Sequence, residues 1–235
     1  METKNDPIGQ AIADFVANGF CENITVQSDL CDDDVLPVEY LFRPKDLMPK
    51  IEQKALSMAK GRVLDVGAAA GCHSYYLKKK GFEVFAIDTS PGAVEHLQNL
   101  EIPVQNIDFM EMTGEFDTVL ILMNGIGIAG ELSNLPNFLT HLKSLLSKDG
   151  QALCDSTDLT YLYEEDDGSM WVDLHDSYHG EMQFKMIYKT SETDWFKWLY
   201  IDFDLLKEYA EKAGLKCELV KKGTSNNYLV SLTHL

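Results

Sequence analysis

Between residues 62 and 74 the chain reads RVLDVGAAAGCHS, an apolar run that gives way to small residues at every second position, Gly67, Ala69 and Gly71, and then to a helical pattern. Small side chains after a strand let the backbone approach a ligand closely, and the N-terminus of the helix that follows attracts an anion such as a carboxylate. Asp88 stands 21 residues after Gly67 at the end of the next apolar run, where a carboxylate can accept both hydroxyls of a ribose. Asp108 follows a third run, and FDTVLILMNGIG closes a fourth on an Asn124-Gly125 turn. Singly, Asp88 reads equally well as a helix cap and Asp108 as a loop acid. At successive strand ends they point instead to one ligand crevice.

Holding these groups in register requires strands and helices in alternation. Strands are expected at 62–66, 83–87, 104–107, 116–123 and 151–155, which makes a mostly parallel sheet covered on both faces. TSPGAVEHLQNL starts a helix with Pro91 behind a Ser90 cap, and SNLPNFLTHLKSLLSKDG runs from a Ser133/Asn134 cap to Gly150 as terminator. Residues 169–201, rich in Tyr, Trp, Phe and Met with partial alternation, predict two or three antiparallel strands; a helix over 203–213 and strands at 216–221 and 227–233 close the chain. Ahead of the sheet, residues 7–18 and 45–60 have helical spacing around the acidic stretch SDLCDDDVLPVEYLFRP.

The order strand, DVGAAAG, two strands each ending in Asp, then FDTVL with a polar turn resembles the class I S-adenosylmethionine-dependent methyltransferases over roughly residues 55 to 158, and by pattern over 202 to 235. The resemblance implies an α/β fold with a doubly wound seven-stranded sheet whose last strand is antiparallel. It also implies an N-terminal helical lid over residues 1–61 and a domain over 62–235 with an antiparallel insertion at about 159–201. S-adenosylmethionine is the implied cofactor. Asp65 and the backbone of Gly67, Ala68, Ala69 and Gly71 would hold its methionine part, with His73 in reach of it or else solvated at the helix start. Asp88, with Thr89 beside it, would take the ribose, Asp108 and Phe109 the adenine, and Met123 and Asn124 would flank the sulfonium.

Two departures from the family pattern stand out. The middle small residue is Ala69 rather than glycine, which the turn tolerates if φ there is negative. NGIG replaces the N-P-P-[YF] tetrapeptide, which leaves the acceptor atom open. A nicotinamide-dependent dehydrogenase fits less well, because the third small residue, Gly71, falls one place early and Cys72 occupies the fingerprint position. A cofactor-binding protein without catalysis is the non-enzyme alternative.

With 38 acidic against 20 basic residues and a net charge of -18, the chain lacks the cationic clusters that grip nucleic acid or an anionic membrane surface, so a small-molecule acceptor is expected. Five cysteines without a C-x-x-C pair read as reduced thiols of a cytoplasmic protein. The acid runs at 32–34 and 164–167 read as solvated loops rather than metal ligands, and no metal is expected. Arg43, in a lid with Tyr40 and Phe42, is a candidate contact of the cofactor carboxylate or an anionic substrate, and Asp155, Asp158 and Tyr178 are candidate contacts of the acceptor. His175 and His179 are candidate general bases, set against capping and surface roles. Trp171, Trp195 and Trp198 pack the inserted segment or, alternatively, line a pocket for an ammonium or aromatic group. The oligomeric state is left open.

Overall fold

The computed structural model describes residues 5–163 and 178–235. The chain opens with α1 (Pro7–Asn18), β1 (Ile24–Ser28), β2 (Asp34–Leu36) and α2 (Lys50–Met58), with short 3-10 turns at Val38–Phe42 and Lys45–Leu47. The alternating part follows: β3 (Arg62–Val66), α3 (Cys72–Lys79), β4 (Glu83–Asp88), α4 (Pro91–Asn99), β5 (Val104–Asn106), β6 (Phe116–Ile121), α5 (Leu135–Ser144) and β7 (Leu146–Thr157). Then come β8 (Glu181–Tyr188), β9 (Ser191–Glu192), β10 (Phe196–Leu199), α6 (Phe203–Lys212), β11 (Leu215–Lys222) and β12 (Asn227–His234).

Seven strands form one sheet in the order β11-β12-β7-β6-β3-β4-β5, parallel except for β12, which runs antiparallel to both neighbours. Both faces are apolar because successive residues point opposite ways. Leu64, Val119 and Ile121 join Phe138, Leu142 and Leu206 on one face, while Val63, Leu120 and Leu153 join Ile51, Leu56 and Leu77 on the other. Each such side chain contributes about 1.5 to 3 kcal/mol when fully buried. The order reverses at β3 and β6, so the crevice between their carboxyl ends is where a ligand fits.

A second, antiparallel sheet, β10-β8-β1-β2 with β9 beside β8, joins the N-terminal segment to the inserted one. The expected N-terminal helical lid therefore also carries two short strands. Ile24 and Val26 alternate with Thr25 and Gln27, a short β signal whose partner, β8, lies far along the chain. Gly9 and Gly92 let α1 lie directly against α4: a Cβ on Gly92 would fall 2.5 Å from the Gly9 Cα. Asp6 ties the two helices, accepting from Gly9 N at 2.8 Å and from Gly92 N at 2.9 Å. Gly150 proves not to be a helix terminator. Helix α5 ends at Ser144, and Gly150 lies within β7, where a Cβ would meet the Phe116 carbonyl at 2.8 Å.

Candidate active site

The turn after β3 is tied to β4 by the Gly67 and Ala68 N–H groups, which donate to the Ile87 carbonyl at 2.9 and 3.2 Å. Its φ angles are positive at Gly67 (66°), Ala69 (47°) and Gly71 (78°), so Ala69 sits in the left-handed region and not at the negative φ that would make an alanine unstrained there. That conformation costs an alanine about 1 to 2 kcal/mol. A bond from Ala69 N to Asp88 Oδ2 at 2.8 Å helps hold it, while Asp88 Oδ1 accepts from Ser90 N at 2.8 Å. Burial raises the Asp88 pKa, and these two amides oppose the rise.

Asp88, Thr89, Asp108 and Phe109 line a cavity of about 560 Å³ floored by Gly67 and Ala69 and closed on the lid side by Trp195, Phe196 and Trp198. Above Gly67 the space is open: an added Cβ would find only the Ile128 Cδ1 methyl, at 3.8 Å. An open floor of backbone, a carboxylate fixed at its rim and apolar walls fit a nucleoside whose ribose faces Asp88. A pocket of about 20 Å³ continues from Gly67 and Ala69 to Asp65, His73 and Met123.

Behind that small pocket lies a buried charge network. The Arg43 guanidinium and the His73 Nε2 both meet Glu52 Oε2, at 2.5 and 2.8 Å, and the Ser74 hydroxyl donates to Asp65 Oδ2 at 2.6 Å. Burial would raise the Glu52 pKa, but His73 and Arg43 outweigh it and hold the carboxyl below its ordinary value. Burial likewise opposes the His73 charge, yet Cys72, Glu52 and Asp65 together lift the imidazole well above 6.5. Burial raises Asp65 itself.

A second cavity, of about 810 Å³, lies between the two sheets. It reaches the β6 turn at Met123 and Asn124 and shares Met186, Phe196 and Trp198 with the nucleoside-shaped one. Met123 and Asn124 are consecutive non-glycine residues at φ 65° and 56°, a strained turn of the kind that accumulates at functional sites. Two interactions brace it. Asp155 Oδ2 accepts from Asn124 N at 3.0 Å, and Asn124 Oδ1 accepts from the Thr157 hydroxyl at 2.7 Å.

A family described as a methyltransferase domain matches residues 39–219. The fold also superposes on an S-adenosylmethionine-dependent methyltransferase from Bacteroides fragilis, solved in complex with S-adenosyl-L-homocysteine, with 43% identity and a TM-score of 0.93 over 100% of this chain and 97% of that one. The chain belongs to the S-adenosylmethionine-dependent methyltransferases. More distant structures share the fold alone. The sugar N-methyltransferase KedS8 from Streptoalloteichus is 16% identical, with a TM-score of 0.59 over 84% of this chain and 91% of that one. The amino pentose methyltransferase CalS10 from Micromonospora echinaspora is 12% identical, with a TM-score of 0.57 over 79% and 88%. No protein of curated function matches the methyltransferase.

Several acceptor candidates lie away from the methyltransferase's larger cavity. Arg43 is 5% exposed and bound to Glu52, the Tyr40 carbonyl and the Tyr40 ring, so it serves the buried network rather than an open lid. Asp155 braces the β6 turn from within the core. Asp158 is turned onto Thr160 N and Oγ1, and the Tyr178 hydroxyl donates to Asp202 Oδ2 at 2.8 Å. His179 packs tilted against Tyr178, with ring centres 4.2 Å apart. His175 and Trp171 fall outside the described residues. Trp198, by contrast, lines both cavities and Trp195 the smaller one. Glu52 escaped sequence reading although it falls three, four and seven residues before Ala55, Leu56 and Ala59, on an apolar stripe where an acid needs partners.

Asp155 makes a pH test. Burial pushes its carboxyl up to about 7, and its Oδ1 is buried without a hydrogen-bond partner among the described residues. An acid whose pKa is higher folded than unfolded binds more protons in the folded state, so its contribution to stability falls as pH rises from about 4 through about 7. Asp155→Asn keeps an acceptor for the Asn124 amide and removes this titration. The variant should gain on the native protein by about 2 kcal/mol between pH 5 and pH 8 in urea unfolding. Parallel stability curves across that interval would refute the assignment.

Proposed function

We propose that this methyltransferase acts on a small molecule held in the 810 Å³ cavity, with its cofactor in the 560 Å³ one. The observation that carries this reading is the wall common to both, Met186, Phe196 and Trp198, which sets the two ligands edge to edge, with the larger cavity reaching the Met123–Asn124 turn. When bound, S-adenosylmethionine supplies a methyl group on a positively charged sulfur, open to direct displacement. Asp88 would hold the ribose with Thr89 beside it, and Asp108 and Phe109 would hold the adenine. Asp65, His73 and the backbone from Gly67 through Ala68 and Ala69 to Gly71 would hold the methionine end. Asn124, steadied by Thr157, would orient the acceptor at the meeting point of the cavities. Alignment of this kind can supply about 7 to 11 kcal/mol of the barrier, and His179, away from both cavities, is not required as a base.

The -18 charge supports a small-molecule partner over nucleic acid, and five free cysteines support a cytoplasmic setting. No helix among the described residues is long and apolar enough to cross a membrane, and no group of three or more His, Cys, Asp or Glu among them is placed to hold a metal. The test is turnover: protein incubated with S-adenosylmethionine and fractionated cellular small molecules should release S-adenosylhomocysteine with at least one fraction. Cofactor binding without release in any fraction would favour a binding protein.

A further inference from the structure

Resting on that reading of the two cavities, we propose that the acceptor is a small amine drawn in as its cation, an ammonium carried on an apolar or aromatic body, which gives one N–H proton to water before the freed nitrogen lone pair takes the methyl and S-adenosylhomocysteine leaves. Among the described residues, every charged side chain lining the larger cavity is a carboxylate, Asp32, Asp33 and Asp34, and no lysine, arginine or histidine lines it. The cofactor cavity differs, because Lys197 stands among its acids.

The three carboxylates sit on exposed chain around the start of β2, and Asp33 and Asp34 accept from neutral donors. Asp33 Oδ2 takes the Gln27 amide at 3.2 Å and Asp34 Oδ1 takes Val35 N at 2.7 Å. Their negative charge therefore remains available to a ligand. Across the cavity stand the rings of Tyr161, Phe184, Phe196, Trp198 and Tyr200. Aromatic faces attract a cation through their quadrupole, and Trp does so most strongly. Val35 and Tyr161 remain 54% and 49% exposed on this lining, apolar surface that an apolar ligand body would cover. An anionic acceptor would meet three like charges, and a neutral one would draw nothing from them.

The test uses calorimetry on the full-length protein saturated with S-adenosylhomocysteine and three probes of similar size: 2-phenylethylammonium, 2-phenylethanol and 3-phenylpropionate. The ammonium should bind at least tenfold more tightly than either other probe at about 0.1 M salt, and its advantage should shrink at about 1 M, where charges are screened within about 3 Å. Combining Asp32→Asn, Asp33→Asn and Asp34→Asn should weaken the ammonium at least tenfold while leaving 2-phenylethanol and S-adenosylhomocysteine binding unchanged. Equal affinity for the three probes, tighter binding of the carboxylate, no ammonium binding at millimolar concentration, or an unaffected triple variant would each overturn the proposal. Failure of the unaltered protein to bind S-adenosylhomocysteine would instead reject the cofactor reading beneath it.

Discussion

Glu52→Ala is expected to lower the stability of the protein by about 3 to 5 kcal/mol, the cost typical of removing one partner from a buried ion pair. Glu52 is 3% exposed and is the shared acceptor of Arg43 and His73, so its loss leaves two buried cations facing each other. The pH dependence follows from the two shifts. Glu52 has a folded pKa below its unfolded value, so its contribution is present above about 4.5 and is lost as pH falls through the folded value. His73 has a folded pKa well above 6.5, so its contribution is complete below that point and is lost as pH rises through the folded value. The pair thus stabilises most between these limits. Should the alanine protein fail to fold, Glu52→Gln keeps the shape and one acceptor, and its unfolding should lose the acid limb of the profile. A glutamine variant with the native acid limb would show that Glu52 does not carry it.

Asp88→Ala should weaken S-adenosylmethionine binding at least tenfold, and by about a hundredfold to ten-thousandfold if both ribose hydroxyls lose charge-assisted bonds of about 1.5 to 3 kcal/mol each. Asp88 also holds the Ala69 and Ser90 amides, and Ala69 keeps a left-handed φ with that help, so the alanine variant loosens the turn as well as the ligand. Asp88→Asn separates the two effects. It can still accept from one amide and offers one hydroxyl an acceptor, so its affinity should fall between the native and alanine values. Calorimetry showing native affinity in Asp88→Ala would remove Asp88 from the cofactor site.

The seven-stranded sheet and the candidate crevice at its strand ends were legible in the sequence because their signals are local. Apolar runs such as 62–66 and 116–121 mark buried parallel strands, small residues at Gly67, Ala69 and Gly71 mark the turn, and each acid ends the run that carries it. Helix α1 was legible to its ends, since Pro7 and Gly19 punctuate it. Tertiary structure alone decided the rest. Strands β1 and β8 pair although more than 150 residues separate them, and neither run names its partner. The sign of φ at Ala69 depends on a carboxylate 19 residues away. Arg43, Asp155 and Tyr178 carry reactive groups and resemble site residues when read along the chain. Whether a polar group faces a ligand or satisfies the core depends on which donors fold against it, and Glu52, the Asn124 amide and Asp202 reach these three only through the packed fold.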